Sequence, residues 1–290
     1  MTEARRPFCS EVSAENDEPL GGTASRIDRW ILLEYRGLWS PEPLRGSMLA
    51  AEVKAHLEAQ LAAVPRSRLL FIRQPRREHH GVFCYTATTP ERGGTLHRLE
   101  LESHEELVGL DLFGADRGEA IDHPLLAVCT HGKRDRCCAR YGRPLYDAVA
   151  DQVARDWVWQ CTHVGGDRFA GNLVCFPEGI YFGRVGLGDV WPLLDDYLAG
   201  RIYLDCYRGR SCYSFAVQAG ERAIRERTGL RGIDELTVAG VEGENGRWHV
   251  AFDGAGSRHE ADVEAQEGEP MHLTCDAELA RRPKRYVAVS

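Results

Sequence analysis

Two stretches of the chain carry the residue types that do soft-metal or thiol chemistry. The first runs Cys129-Thr130-His131-Gly132-Lys133-Arg134-Asp135-Arg136-Cys137-Cys138, the second Cys161-Thr162-His163-Val164-Gly165-Gly166-Asp167-Arg168. Thiolate sulfur and imidazole nitrogen together select iron–sulfur clusters or zinc rather than hard cations such as magnesium. Cys129 and Cys138 flank an eight-residue polar loop that can fold around a small inorganic group and bring both thiolates to one metal. His163 and Asp167 lie four apart across Gly165-Gly166, a doublet that permits the tight backbone needed to turn two side chains to one point. The neighbouring cations Lys133, Arg134, Arg136, Arg140 and Arg168 would lower thiol pKa values and offset cluster charge. Plainer roles stand beside these. Cys137 and Cys138 can be one core thiol and one exposed thiol, His163 a satisfied strand-end histidine, and Asp167 the partner of Arg168 or a helix cap.

The elements that must position these residues are legible from periodicity. Residues 1–26 read as a tail, with Cys9 in it. Trp30 to Tyr35 reads as a strand, and Leu49, Val53, Leu57 and Leu61 mark one face of a helix that Pro65 ends. Leu69 to Arg73, Gly81 to Thr86 and Thr95 to Leu101 are further strands, giving a first small α/β unit over 27–116. A second unit, 117–200, repeats the rhythm. Leu125 to Val128 is a buried strand running into Cys129. Leu145, Val149 and Val153 form a helical stripe, with Pro144 suited to its first turn. Trp157 to His163 is a strand, Pro177-Glu178-Gly179 turns a hairpin, and Asp189 caps a helix over Val190 to Leu198. The order is compatible with a thioredoxin-like layer, and the β-α-β-β echo between the units hints at duplication. The remainder, 201–290, predicts a helix from Ser214 to Arg227 ended by Gly229. A hairpin turned at Asn245-Gly246 follows, and then a basic, solvated end at Arg281 to Arg285.

Composition sets the outer limits. A chain of 290 residues with 43% apolar and 28% charged residues can bury a substantial core. No apolar run approaches the length of a membrane span, and Met1 to Leu20 lacks the apolar core of a secretory signal. The formal charge of −8 argues against nucleic acid as the main partner. Ten cysteines without a signal peptide read as reduced thiols, some of them metal ligands, in a cytoplasmic protein. Cys84 and Cys175 sit in apolar strands as small hydrophobes.

The two stretches, with Tyr207-Arg208-Gly209-Arg210-Ser211 and Gln218-Ala219-Gly220-Glu221 downstream, resemble the sucrase/ferredoxin-like family, which includes the yeast actin-patch-distal protein. The resemblance spans about Phe8 to Gly229 and is most specific over residues 127–184. It implies a thioredoxin-like ferredoxin domain holding a [2Fe–2S] cluster. The two cysteines of the family's Cys-x8-Cys loop fall on Cys129 and Cys138, and the first histidine of its His-x-Gly-Gly-His motif on His163. The second histidine position is Asp167 here. With Asp167 as a ligand the oxidised site carries one more negative charge than a bis-histidine site, and its potential should fall. Other readings of that position are Cys161, two residues before His163 on the same strand face, a swap of Cys137 for Cys138, or a cluster-free descendant.

The expected fold is therefore α/β: a thioredoxin-like ferredoxin layer, preceded by a second small α/β unit and followed by a helix and β-hairpin extension. The expected function is one-electron transfer to or from a redox partner protein, with Cys129, Cys138, His163 and Asp167 as cofactor and metal ligands. The basic loop from Lys133 to Arg136 would dock an acidic reductase or acceptor. Two alternatives differ in class. One is a thiol-dependent redox enzyme using Cys137, Cys138 or Cys161, although no Cys-x-x-Cys starts a helix and vicinal cysteines bridge only with strain. The other is a cluster-free or zinc-stabilised binding module, in which Arg208 and Arg210 bind an anion.

Overall fold

A computed structural model of the chain describes residues 6–75 and 80–289. Fourteen strands and five α-helices are present among them. In chain order they are α1 (Cys9–Glu15), β1 (Arg29–Glu34), α2 (Ala51–Ala63), β2 (Ser67–Arg73), β3 (Val82–Thr88), β4 (Thr95–Leu101), β5 (Glu119–Ala120) and β6 (Leu125–Cys129). Then come α3 (Arg136–Ala150), β7 (Val158–Cys161), β8 (Leu173–Phe176), β9 (Ile180–Phe182), α4 (Val190–Leu198), β10 (Tyr207–Arg210) and α5 (Phe215–Thr228). The chain closes with β11 (Leu236–Glu244), β12 (Arg247–Gly254), β13 (Ser257–Glu267) and β14 (Lys284–Val289).

Ten strands form one sheet in the order β10-β9-β8-β6-β7-β2-β1-β3-β4-β5. β1 and β6 are apolar runs buried along almost their whole length, as central strands covered on both faces must be. β1 runs parallel to β2 through α2, with β3 antiparallel to β1 and β4 antiparallel to β3. β6 repeats this relation with β7 through α3, and with β8 and β9. The four-strand order β2-β1-β3-β4 thus recurs as β7-β6-β8-β9, the arrangement of a thioredoxin-like layer. The two copies join where β2 meets β7 antiparallel, at Ile72–Cys161 and Arg73–Gln160. The units separated near residue 116 in the sequence therefore share one sheet.

The sheet curls on itself. Trp30 of β1 meets Phe176 of β8 edge-on at 5.0 Å, although three strands lie between them in the sheet. Trp30, Leu32, Tyr85, Ala127, Trp159 and Phe176 fill the interior. α2 buries Val53 and Leu57 on the outer face of the first copy, and α3 buries Leu145 and Val149 on that of the second. A second, antiparallel sheet of order β11-β12-β13-β14 packs on α5, with Val217, Ile224, Leu236, Val250 and Phe252 between them. No described helix is long and apolar enough to cross a membrane.

Three expectations need correction. α3 begins at Arg136, not near Pro144. Asp135 caps it by accepting the Cys137 backbone N–H at 2.8 Å, so Cys137 and Cys138 lie in the first helical turn rather than on a loop. The segment expected as a tail contains α1, and Cys9 in it is buried; residues 1–5 of that segment lie outside the described residues. The basic C-terminal run leads into β14, whose Arg285 pairs with Gln266 of β13.

Candidate metal centre

The strand–helix junction builds the first half of the site. β6 delivers Cys129 at its C-terminal end, and α3 returns Cys138 to it. Helix and strand approach closely because position 142 is glycine: a Cβ there would lie 1.9 Å from the Cys129 carbonyl oxygen. The opening turn of α3 also presents the positive end of the helix dipole, which favours thiolate.

The second half comes from the turn after β7. Gly165 and Gly166 take φ of 101° and 78°, values that L side chains adopt only with strain. The turn brings His163 and Asp167 to the two cysteines. The Cys129 and Cys138 sulfurs and a His163 ring nitrogen all lie within 4.8 Å of one another. Asp167 joins them: its Oδ1 accepts from the Cys138 thiol at 3.3 Å and lies 2.9 Å from His163 Nδ1, close enough to pair as ions though not aligned as a hydrogen bond. Cys129, Cys138 and Asp167 are buried, while the His163 side chain keeps 21% of its surface exposed.

The electrostatics match a thiolate–imidazolium centre. The neighbouring Cys138 sulfur, followed by the His163 contact, holds the Cys129 thiol well below its usual range, while Cys129 in turn pushes Cys138 up. Burial alone would lower His163, but Asp167 and Cys129 outweigh it and lift the imidazole to about 9. Burial likewise raises Asp167, and His163 and Cys138 reverse that shift to a net depression.

A buried arginine holds the turn. Arg208 on β10 donates to Gly165 O at 3.0 Å, Asn172 Oδ1 at 2.7 Å, Thr23 O at 2.6 Å and Thr23 Oγ1 at 3.0 Å. Its guanidinium stacks on Phe169, which follows Asp167, with Arg168 against the same ring. Arg168 in turn pairs with buried Glu18 at 2.8 Å, so the segment after α1 crosses the turn. Arg210 donates to the Ile233 and Glu91 carbonyls. Both arginines expected to bind an anion are thus buried on protein acceptors. Gln218 and Glu221 serve the same packing: Gln218 bonds Ala24 and Arg210, and Glu221 accepts from Tyr207 at 2.6 Å and pairs with Arg225 at 3.0 Å.

Cys129, Cys138, His163 and Asp167 come together. Cys161 lies beside Cys129 across the β6–β7 pair, in the apolar interior, and is not among the converging donors. Cys137, next to Cys138 in sequence, turns instead to Cys9 and Cys275, at 3.5 and 3.3 Å. Sequence reasoning missed Arg208 as the brace, Gly142 as the contact point and Asp135 as the cap. Only the last had a local signal, an aspartate directly before a helical run.

The donor set, two buried thiols with an imidazole and a carboxylate at contact distance, fits a thiolate-bound metal group. A family model described as sucrase/ferredoxin-like matches residues 20–209. The altered inheritance of mitochondria protein 32 of Meyerozyma guilliermondii is 39% identical over 100 residues, covering 31% of this chain and 35% of that protein. Its counterpart in Debaryomyces hansenii is 31% identical over 99 residues, covering 31% and 36%. This chain thus spans about a third of the length of the curated relatives it matches. No solved structure gives a significant match.

Proposed function

This chain belongs to the sucrase/ferredoxin-like family, and on that premise we propose that it is a one-electron carrier whose [2Fe–2S] cluster is held by Cys129, Cys138, His163 and Asp167. The observation that carries this reading is the convergence of the two cysteine sulfurs and the His163 ring, with Asp167 touching both Cys138 and His163. When bound, such a cluster supplies reversible one-electron chemistry. The protein supplies the rest. Cys129 and Cys138 offer buried sulfur donors, and the curled sheet and α3 exclude water from them. His163 has the largest exposed surface of the four side chains, so its imidazole edge is the contact with a partner. Asp167 orients His163 and adds a negative charge where a neutral histidine would add none. Exposed Lys133, Arg134 and Arg140 flank the opening and present positive charge to an acidic reductase or acceptor.

One observation favours a second reading. Three donors within 4.8 Å of one another also suit a single zinc ion, which would be colourless and redox-silent. Anaerobic purification with visible spectroscopy and iron and sulfide counts separates the two. The carrier reading expects about two irons and two sulfides per chain and absorption that bleaches on reduction. It also expects loss of the chromophore in Cys129→Ser, Cys138→Ser and His163→Ala. A colourless, sulfide-free protein after reconstitution would overturn it.

A further inference from the structure

We propose that Cys9, Cys137 and Cys275, with the Asp135 carboxylate, form a second metal centre, a zinc site that fastens both ends of the chain to the start of α3. This inference stands apart from the electron-carrier reading. The three sulfurs form a closed triangle with edges of 3.5 Å (Cys9–Cys137), 3.3 Å (Cys137–Cys275) and 3.8 Å (Cys275–Cys9). In a tetrahedral thiolate site with metal–sulfur bonds near 2.3 Å, two ligand sulfurs lie about 3.8 Å apart. The triangle is therefore close to one face of such a tetrahedron. Asp135 supplies the fourth corner, its Oδ2 3.8 Å from Cys9 Sγ, and all four donors lie within 4.8 Å of one another and are buried.

The site is built rather than accidental. Asp135 is held from two sides, by the Cys137 N–H on Oδ1 at 2.8 Å and the Cys275 N–H on Oδ2 at 2.7 Å. Ser10 Oγ donates to Cys137 Sγ at 3.2 Å, satisfying a sulfur lone pair. Thiols buried as small hydrophobes would mix with methyl groups, whereas these turn their sulfurs toward one another and toward a carboxylate. The three cysteines come from segments far apart in sequence: α1, the first turn of α3 and the connection between β13 and β14. That connection, residues 268–283, contains neither helix nor strand. A segment of this length inside a compact domain needs a tether. Besides the Cys275 N–H bond it carries the Arg6 bond to Ala277 O at 2.8 Å and the Arg136–Asp276 approach at 3.9 Å.

The chemistry selects the ion. Soft sulfur donors exclude magnesium and calcium, and the carboxylate favours zinc over the softer copper(I). Sulfurs this close suit one ion rather than a polynuclear cluster, whose several irons hold their ligands farther apart. As the ion binds, each thiol releases its proton to solvent, so no oxidant or reductant is required.

The test is made on the full chain carrying Cys129→Ser and Cys138→Ser, which removes the thiolates of the first site. Purified under reducing conditions, it is expected to retain about one zinc per chain. Replacement by cobalt(II) should give the visible bands of a tetrahedral thiolate site. Adding Cys9→Ser or Cys275→Ser should weaken zinc in chelator competition roughly 100-fold or more and diminish the sulfur-to-cobalt band. If the background variant does not fold, the unaltered loaded chain serves. There Cys275→Ser should remove zinc and leave the iron and sulfide counts unchanged. No zinc and no cobalt spectrum would overturn the proposal, as would zinc that persists unchanged in both added variants. A Cys137–Cys275 disulfide in freshly purified protein, shown by the loss of two titratable thiols, would also overturn it.

Discussion

At the scale of single residues, Asp167 decides the character of the candidate centre. It is buried, and one oxygen serves both the Cys138 thiol and the His163 ring. A carboxylate at this position makes a bound cluster more negative and harder to reduce than a neutral imidazole would. Asp167→His is therefore expected to raise the midpoint potential of the loaded protein by roughly 100 mV. A redox titration followed by visible absorption measures this, and an unchanged potential would mean that the Asp167 charge does not reach the cluster. Asp167→Ala leaves His163 without its partner, so cluster yield after reconstitution should drop.

Among the elements, the position of α3 matters most, because its first turn carries both Cys137 and Cys138. Its seat against β6 depends on Gly142. Gly142→Val would force helix and strand apart at Cys129, at a cost of about 2–3 kcal/mol in urea unfolding together with impaired cluster loading. Arg208 braces the opposite half of the site. Arg208→Met leaves Gly165 O, Thr23 O and Asn172 Oδ1 without their buried donor. A loss of about 3 kcal/mol is expected, with Arg208→Lys recovering only part because one ammonium cannot span the same acceptors. If Arg208→Met unfolds at the same denaturant concentration as the unaltered chain, the bracing role is wrong.

Across the whole molecule, the repeated strand order gives two copies of one layer, only one of which carries the candidate ligands. Where β6 ends in Cys129, β1 ends in Glu34, which is buried and accepts from Arg36 and from the Phe83 N–H. Where the turn after β7 carries His163, the chain after β2 has Gln74, which donates to Val158 O at 2.8 Å. The first copy thus has polar residues near the matching places, Glu34 bonded within that copy and Gln74 bonded across to the second. Charge is also unevenly distributed. A molecule of formal charge −8 displays Lys133, Arg134, Arg140 and Arg143 exposed on the loop before α3 and on α3 itself. Paired Lys133→Glu and Arg134→Glu substitutions are expected to slow reduction by an acidic reductase about tenfold at low salt and to flatten its ionic-strength dependence. Stopped-flow reduction across a salt series would show this, and an unaltered slope would place the docking surface elsewhere.

The sequence by itself determined what depends on local pattern. The buried strands β1 and β6, the Ser214–Gly229 helix boundaries and the Asn245-Gly246 turn all follow from periodicity, capping and turn chemistry within a few residues. Residue types and spacing likewise mark the two stretches, while the choice of Cys129, Cys138 and His163 within them rests on the family resemblance. Only the tertiary structure decided which way each side chain faces and what distant residues meet it. The start of α3 was misplaced because Pro144 gave a stronger local signal than the Asp135 cap. Arg208 looked like an anion ligand because its acceptors, Gly165, Thr23 and Asn172, come from three separate segments. Cys9 looked like part of a tail, since nothing nearby in sequence announces Cys137 or Cys275. Contacts between segments so far apart are set by how the sheet curls and the ends return, and no short-range pattern encodes that.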